Sequence, residues 1–317
     1  MIRITNLNLP VLTTTAVSVI VSTYAISGGN ISSIGGSNIK SYGVVWSTNI
    51  NPTFNSSDKA FELTYGLVFS NLVFSSELKG LSSNTKYYIR AFAENSDGIS
   101  YGNELSFNTS NLSKVNDIDG NKYQLVTICN QTWTRNNLNV SKYRNGDVIP
   151  QVTDQVEWAA LTTGAWCYYG YGTPVGTVYG KLYNWYAVND PRGLAPAGYH
   201  IPTDTEWTTL TTCLGGESNA GTEMKEYGNA HWQCNVSCLA GNNNSSDFTA
   251  FGGGYRSGIS SYDARHFGDV FVGAHFWSSS VNGQSDPWVR IIKAESDIVA
   301  KQNSTKKTGN SVRCIKD

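Results

Sequence analysis

Six cysteines and four histidines are the residues of this 317-residue chain best suited to covalent or metal chemistry, and their spacing narrows what that chemistry could be. Cys234 and Cys238 stand four apart in "HWQCNVSCLAGNNN", with His231 just upstream. Two thiols that close could form a reactive pair, but the intervening Asn, Val and Ser suit a small loop closed by a local disulfide equally well. A lone histidine beside such a pair leaves tetrahedral zinc short of a fourth ligand, so no metal site is expected there. His200, His231, His266 and His275 fall in neither an HExxH pattern nor a nucleophile-elbow context. "FGGGYRSG" (Phe251 to Gly258) lacks the Lys-Ser/Thr pair and the following helix of a phosphate loop. No pair of acids stands in the aromatic surroundings of a glycosidase cleft. The expectation is a non-catalytic chain with no catalytic residue and no cofactor, in which a structural calcium is left open.

The composition agrees with a recognition role. Charged residues make up only 15% of the chain, against about 25% in an average soluble protein, while Tyr (18), Trp (9) and Gly (31) are plentiful. A net charge of -1 gives no broad footprint for nucleic acid or an anionic membrane. The most apolar stretch, "VLTTTAVSVIVSTYAIS" (Val11 to Ser27), is interrupted by threonines and serines and alternates as a half-buried strand does, so no membrane span is expected. Cysteines in an Asn-, Ser- and Thr-rich chain suit an oxidising, extracellular setting. No signal peptide is readable, since only Arg3 precedes a weak apolar segment. Surface location would then follow removal of a leader or another route, such as assembly on a virus particle.

Two kinds of element must position these residues. Before about residue 110 the text alternates with period two in "SYGVVWSTN", "ELTYGLVFSNLVFSSEL" and "TKYYIRAFAENSDGISYGNELSFNT", which predicts strands. "SNLSKVNDIDGN" (Ser110 to Asn121) reads as a linker, and all six cysteines follow it. Beyond it, two helix starts are marked by capping-box spacings, Asp154 with Glu157 and Thr203 with Glu206, the second stopped by Gly215 and Gly216. Short helices among many short strands predict an α+β unit. The fold class is therefore mainly β, with a sandwich at 1–112 and an α+β domain at 113–317.

Two resemblances refine this. "LKGLSSNTKYYIRAFAENSDGISYGNELSFNT" resembles the last strands of a fibronectin type III domain, and "GVVWST" followed by "NPT" is similar to a version common in surface proteins of Bacteroidetes. That likeness implies that Leu81 plugs the sandwich, that Tyr87 is its corner tyrosine, and that "AENSDG" turns between the last strands. "QTWTRNNLNVSKYRNGDVIP", "AWCYYG", "YGKLYNWYAVND", "LAPAGYHIPTDTEWTTL", "DFTAFGGGYRSG", "HFWSSS" and "GNSVRCIKD" occur in the order of the Fibrobacter succinogenes major paralogous domain, over about residues 117 to 317. That family resembles the C-type-lectin fold. The Glu-Pro-Asn or Gln-Pro-Asp and Trp-Asn-Asp tripeptides of calcium-dependent lectins are missing, "SDPW" and "NDP" being the nearest. Formylglycine-generating oxidases share the lectin-like fold and a comparable "RC" strand, and Cys234 and Cys238 would be the thiols of that alternative. The likeness also implies that Cys314 is a core staple, with Cys167 as first choice of partner and Cys213 as second, or else a free buried cysteine in a reducing compartment.

Between the scaffold motifs lie "ISSYDARHFGDVFVGAH", "SVNGQSDPW" and "KAESDIVAKQNSTKK", rich in the Tyr, Asn, Ser and Asp of adaptable binding surfaces. With the strands carrying "FGGGYRSG" and "FWSSS" taken as antiparallel neighbours, Tyr262, Arg265, His266, Asp269, Asn282, Gln284, Asp286 and Trp288 are expected to converge in one patch, anchored by Tyr262 and Trp288. The expected partner is a glycan or a surface protein of a host or neighbouring cell. The alternative is an assembly role among virion or fibre subunits.

Overall fold

The computed structural model describes residues 7–63, 72–171, 178–228, 230–233, 243–259, 266–283 and 286–317. Strand (41%) outweighs helix (11%), so the protein is mainly β. It divides into two compact units, Met1–Asn111 and Leu112–Asp317.

In the first unit, β1 (Val11–Ser18), β2 (Tyr24–Ser33), β3 (Ser41–Ser47), β4 (Asp58–Leu63), β5 (Leu72–Lys79), β6 (Lys86–Glu94), β7 (Ile99–Tyr101) and β8 (Leu105–Asn108) form a two-sheet β-sandwich. One sheet runs β1-β2-β5 and the other β4-β3-β6-β7, with β8 also on β6. Alternate residues face inward because side chains switch sides at every strand residue, which places Ala25, Val44, Trp46, Leu78, Ile89 and Phe107 in one core. Leu81 joins them, 3% exposed. The buried Tyr87 oxygen accepts the Ser82 N–H at 3.0 Å, as the corner role requires. Asn95 closes the "AENSDG" turn by accepting the Asp97 and Gly98 N–H groups at 2.9 and 3.2 Å. Tyr87→Phe should therefore cost about 1 kcal/mol, the usual worth of one such bond, read as a lowered urea midpoint with an unchanged slope.

The second unit contains β9 (Lys114–Asn116), β10 (Lys122–Ile128), β11 (Gln131–Thr134), α1 (Gln155–Ala160), β12 (Trp166–Cys167), β13 (Leu182–Tyr183), α2 (Trp185–Val188), β14 (Tyr199–His200), α3 (Asp204–Cys213), α4 (Ala220–Met224), β15 (Gly253–Arg256), β16 (Phe267–Val270), β17 (Gly273–Val281), β18 (Pro287–Lys293), β19 (Val299–Asn303) and β20 (Ile315–Lys316). The stretch read as a linker already belongs to this unit from Leu112 on: β9 pairs with β10 across a turn whose backbone N–H groups at Asp119 and Asn121 are held by the Asp117 carboxylate. Both helix starts are where the capping spacings put them. Asp154 accepts the Glu157 N–H at 2.8 Å, and Thr203 and Glu206 make a reciprocal box at α3. The one-turn helices α2 and α4 are additional. Asn184 caps α2 by accepting the Ala187 N–H, a signal hidden inside "YNWYA".

One sheet runs β14-β20-β11-β10-β9 and another β16-β15-β17-β18-β19. The β17–β18 hairpin separates two cores by simple alternation. Ala274, Phe276 and Ile292 face Trp133 and Trp207, whereas Trp277, Val289 and Ile291 face Tyr183 and Trp185. β15 and β17 are parallel, not antiparallel, neighbours, joined through Gly254 and Ala274. Beyond that pair the backbone of 309–311 bridges to both, Gly309 to Arg256 and Ser311 to Phe276.

The disulfide expectations need correction. Cys314 is not a staple: it and Cys167 are buried free thiols. Cys213, at the end of α3, pairs instead with Cys129 in the β10–β11 turn, with Cα atoms 6.7 Å apart. β20 brings Cys314 beside Thr134, whose Oγ1 accepts the Cys314 N–H, and neither Cys167 nor Cys213 shares its core. Cys234 and Cys238 lie outside the described residues.

Candidate functional site

Where the hydrophobic face of β17 and β18 runs out toward Gly273 and Lys293, the sheet opens into a depression of about 350 Å³. Its walls come from four neighbouring pieces of chain. β15 contributes Tyr255, β16 contributes Asp269, the hairpin contributes His275, Val289, Ile291 and Lys293, and β19 with the following loop contributes Gln302, Asn303, Ser304, Thr308 and Asn310. Gly254 makes the approach of β15 feasible: its φ is +65°, and a side chain there would collide with the Gly268 carbonyl oxygen. The next residue, Tyr255, lays its ring 4.8 Å from the His275 ring at a tilt of 49°. Arg256 then turns away from the depression and is fully buried. It donates to the carbonyls of Val152, Thr153 and Asp154 at 2.6 to 3.0 Å and stacks on Trp158, which anchors β15 to the start of α1.

The charged groups of the depression cancel. Asp269 Oδ2 accepts from His275 Nε2 at 2.8 Å and also from Lys293 Nζ. The His275 hydrogen bond, with Lys293 behind it, holds the Asp269 carboxyl well below the ordinary carboxylate range. Burial pulls His275 below the ordinary imidazole value, so near neutral pH it is uncharged, carries its proton on Nε2 toward Asp269, and leaves Nδ1 as an acceptor. Asp269 itself sits at φ +63° in the tight turn into β17, a conformation that Asp tolerates better than most residues. One carboxylate and one ammonium make this corner neutral but polar.

Beneath it lies an unpaired amide. Asn310 is 1% exposed, and neither its Oδ1 nor its Nδ2 has a hydrogen-bond partner, although its backbone is tied to Tyr183 in both directions. Each such group costs on the order of 1 to 3 kcal/mol of stability. A native protein retains that cost where a ligand or an ordered water completes the bonds.

Of the eight residues expected in one patch, the structure disperses the five that are described. Asp269 alone among the described ones lines the depression. Asn282 and Asp286 form the hairpin turn, each backbone N–H held within it. That turn lies nine residues along β17 from Gly273, roughly 25 to 30 Å at strand spacing. Trp288 is half-buried on the opposite face of β18, by alternation the face of Arg290, with the Lys301 ammonium 4.1 Å above its ring. His266 is half-buried at the entry to β16, its carbonyl accepting the Ser257 N–H. Tyr262, Arg265 and Gln284 lie outside the described residues. The residues missed were Tyr255 and Asn310, both inside motifs read as scaffold, and His275, Lys293, Gln302, Asn303 and Ser304, which lie in or at the ends of flagged polar segments. The polar run "KQNST" on an edge strand was the available signal. Among the described residues, no three His, Cys, Asp or Glu side chains gather as a metal ion needs.

The model of the Fibrobacter succinogenes major domain matches residues 126–316. No curated protein matches the chain. Among solved structures, the sensor domain of the anti-sigma factor RsgI4 of Pseudobacteroides cellulosolvens is 15% identical over 34% of this chain and 100% of that one, with a TM-score of 0.25. The third fibronectin III domain of the human KIAA0343 protein is 18% identical over 36% and 93%, with a TM-score of 0.24. A fibronectin type III domain of the human KIAA0970 protein is 12% identical over 32% and 74%, with a TM-score of 0.22.

Proposed function

The chain belongs to the Fibrobacter succinogenes major domain family, and from that premise we propose that it is a non-catalytic recognition protein of an extracellular surface. In this reading the second unit is a lectin-like head that binds a glycan or a surface protein, and the fibronectin type III-like unit serves as spacer or docking module. The observation that carries the reading is the depression with Asn310 at its base. It gathers amides, hydroxyls and an aromatic ring around a charge-compensated corner and leaves a buried amide unpaired. Its lining is mostly polar, with Tyr255, Val289 and Ile291 as the apolar part, and amides and hydroxyls of this kind pair with the donor-acceptor hydroxyls of a sugar. The buried thiols of Cys167 and Cys314 support the non-catalytic half of the proposal. Burial pushes Cys167 up to about 11 and Cys314 higher still, and a protonated buried thiol is a poor nucleophile. The Cys129–Cys213 bridge supports an oxidising location.

The test is a glycan array run with the full chain, alongside a pull-down from cell-surface extracts of host and neighbouring bacteria. A reproducible glycan or a single enriched surface protein is expected. Absence of both, with a folded and monodisperse protein, would overturn the reading.

A further inference from the structure

Within the recognition reading, on which this step rests, we propose that the depression takes a neutral saccharide unit, without a metal ion, and that the Asn310 amide is the group that reads its hydroxyls. The charge balance selects the class. A carboxylated or sulfated sugar would need a cation free to receive it, but among the described lining residues the Lys293 ammonium is already engaged by Asp269, and His275 is neutral and donates to the same oxygen. A cationic ligand meets the mirror problem, since Asp269 is the only carboxylate among the described residues lining the depression and it is doubly paired.

What the walls do offer is hydroxyl chemistry. The Asn310 amide has one acceptor and one donor group without partners, a match for adjacent sugar hydroxyls that each donate and accept. Gln302 and Asn303 supply further amides at the exposed rim, Ser304 and Thr308 supply hydroxyls, and the half-buried Tyr255 ring gives a flat face for sugar C–H groups. A volume of about 350 Å³ stands at the small end of ligand sites, roughly 300 to 1,000 Å³, which favours a short saccharide unit over a folded partner. Metal-bridged binding is disfavoured by the same walls, because calcium gathers roughly six to eight oxygen ligands with several carboxylates.

The experiment uses the full chain and three probes: neutral hexoses and N-acetylhexosamines, their sialylated or sulfated counterparts, and each set again with a chelator. Affinity is read by calorimetry and stability by thermal unfolding. Neutral sugars should bind, unchanged by chelator, and Asn310→Leu should weaken binding at least tenfold while the melting temperature holds or rises. That combination separates a ligand-reading amide from a structural one, whose loss would lower the melting temperature and leave binding alone. Tyr255→Ala should also weaken binding at least tenfold and covers the case in which Asn310→Leu fails to fold. Preference for the acidic sugars, loss of binding with chelator, or unchanged affinity in Asn310→Leu or Tyr255→Ala would overturn the proposal. Affinity lost in Asn282→Ala and Asp286→Ala but kept in Asn310→Leu would move the site to the hairpin turn, overturning this inference while the recognition reading stood. No binding to any sugar overturns it too, and the surface-protein arm of the pull-down then decides the broader reading separately.

Discussion

Arg313→Met is expected to cost the second unit several kcal/mol, because it strips the donor from four buried acceptors and each orphaned acceptor costs roughly 1 to 3 kcal/mol, and so to leave it largely unfolded at 37 °C. Arg313 is fully buried beside the terminal strand. Its guanidinium donates to the carbonyls of Thr134, Phe248 and Thr249 at 2.8 to 3.0 Å and to Asn137 Oδ1 at 2.6 Å, and it lies 4.6 Å from the centre of the Phe248 ring. It thus ties the end of β11 to the segment leading into β15, two pieces of backbone with no direct strand pairing between them. Methionine fills much of the volume but leaves three carbonyls and an amide oxygen facing apolar surroundings. Arg313→Lys should recover only part of the loss, because one ammonium cannot span acceptors fixed in a planar fork. Urea unfolding followed by tryptophan fluorescence measures both variants. A lysine variant as stable as the wild type would show that charge alone, rather than the fork, is what that position needs.

The contrast between what was legible in the sequence and what was not follows the range over which each signal acts. Tyr87, Asn95, Thr203 and Glu206 act on backbone within a few residues of themselves, so the spacing of Thr203 and Glu206 placed a helix start and the fibronectin type III resemblance placed the corner and the turn. Patch geometry failed because it depended on whether β15 and β17 run parallel, which period-two patterning does not encode: both orientations bury the same faces. Asn310 shows the limit most clearly. Its surroundings in sequence, "TGNSVRC", read as scaffold, and its backbone does serve as scaffold by bridging to Tyr183. What sets it apart is that nothing folded nearby meets its amide, a property of the assembled unit that no local pattern carries. The same holds for Trp288, whose aromatic character suggested an anchor but whose side of the strand is fixed by a hairpin register.

Cysteine pairing is the other feature that sequence spacing could not reach, and it carries the remaining large expectation. Cys129 and Cys213 are separated by 84 residues, so a cross-link between them removes on the order of 4 to 5 kcal/mol of unfolded-chain entropy in the loop-closure model, of which native bridges typically deliver about 2 to 4. The bridge fastens the C-terminal end of α3 to the β10–β11 turn, flanking a core that contains Trp133, Trp207 and Leu210. Reduction should therefore loosen α3 against the sheet before the opposite core is affected. The Cys129→Ala, Cys213→Ala double variant should melt well below the oxidised wild type and be indifferent to reductant, whereas the wild type in reductant should fall toward the variant. Peptide mapping without reduction supplies the direct check: a linked pair of peptides carrying Cys129 and Cys213, with Cys167 and Cys314 alkylated only after denaturation because both thiols are buried. A Cys167–Cys314 peptide in that map would refute their assignment as free buried thiols, and a map without the Cys129–Cys213 pair would refute the bridge.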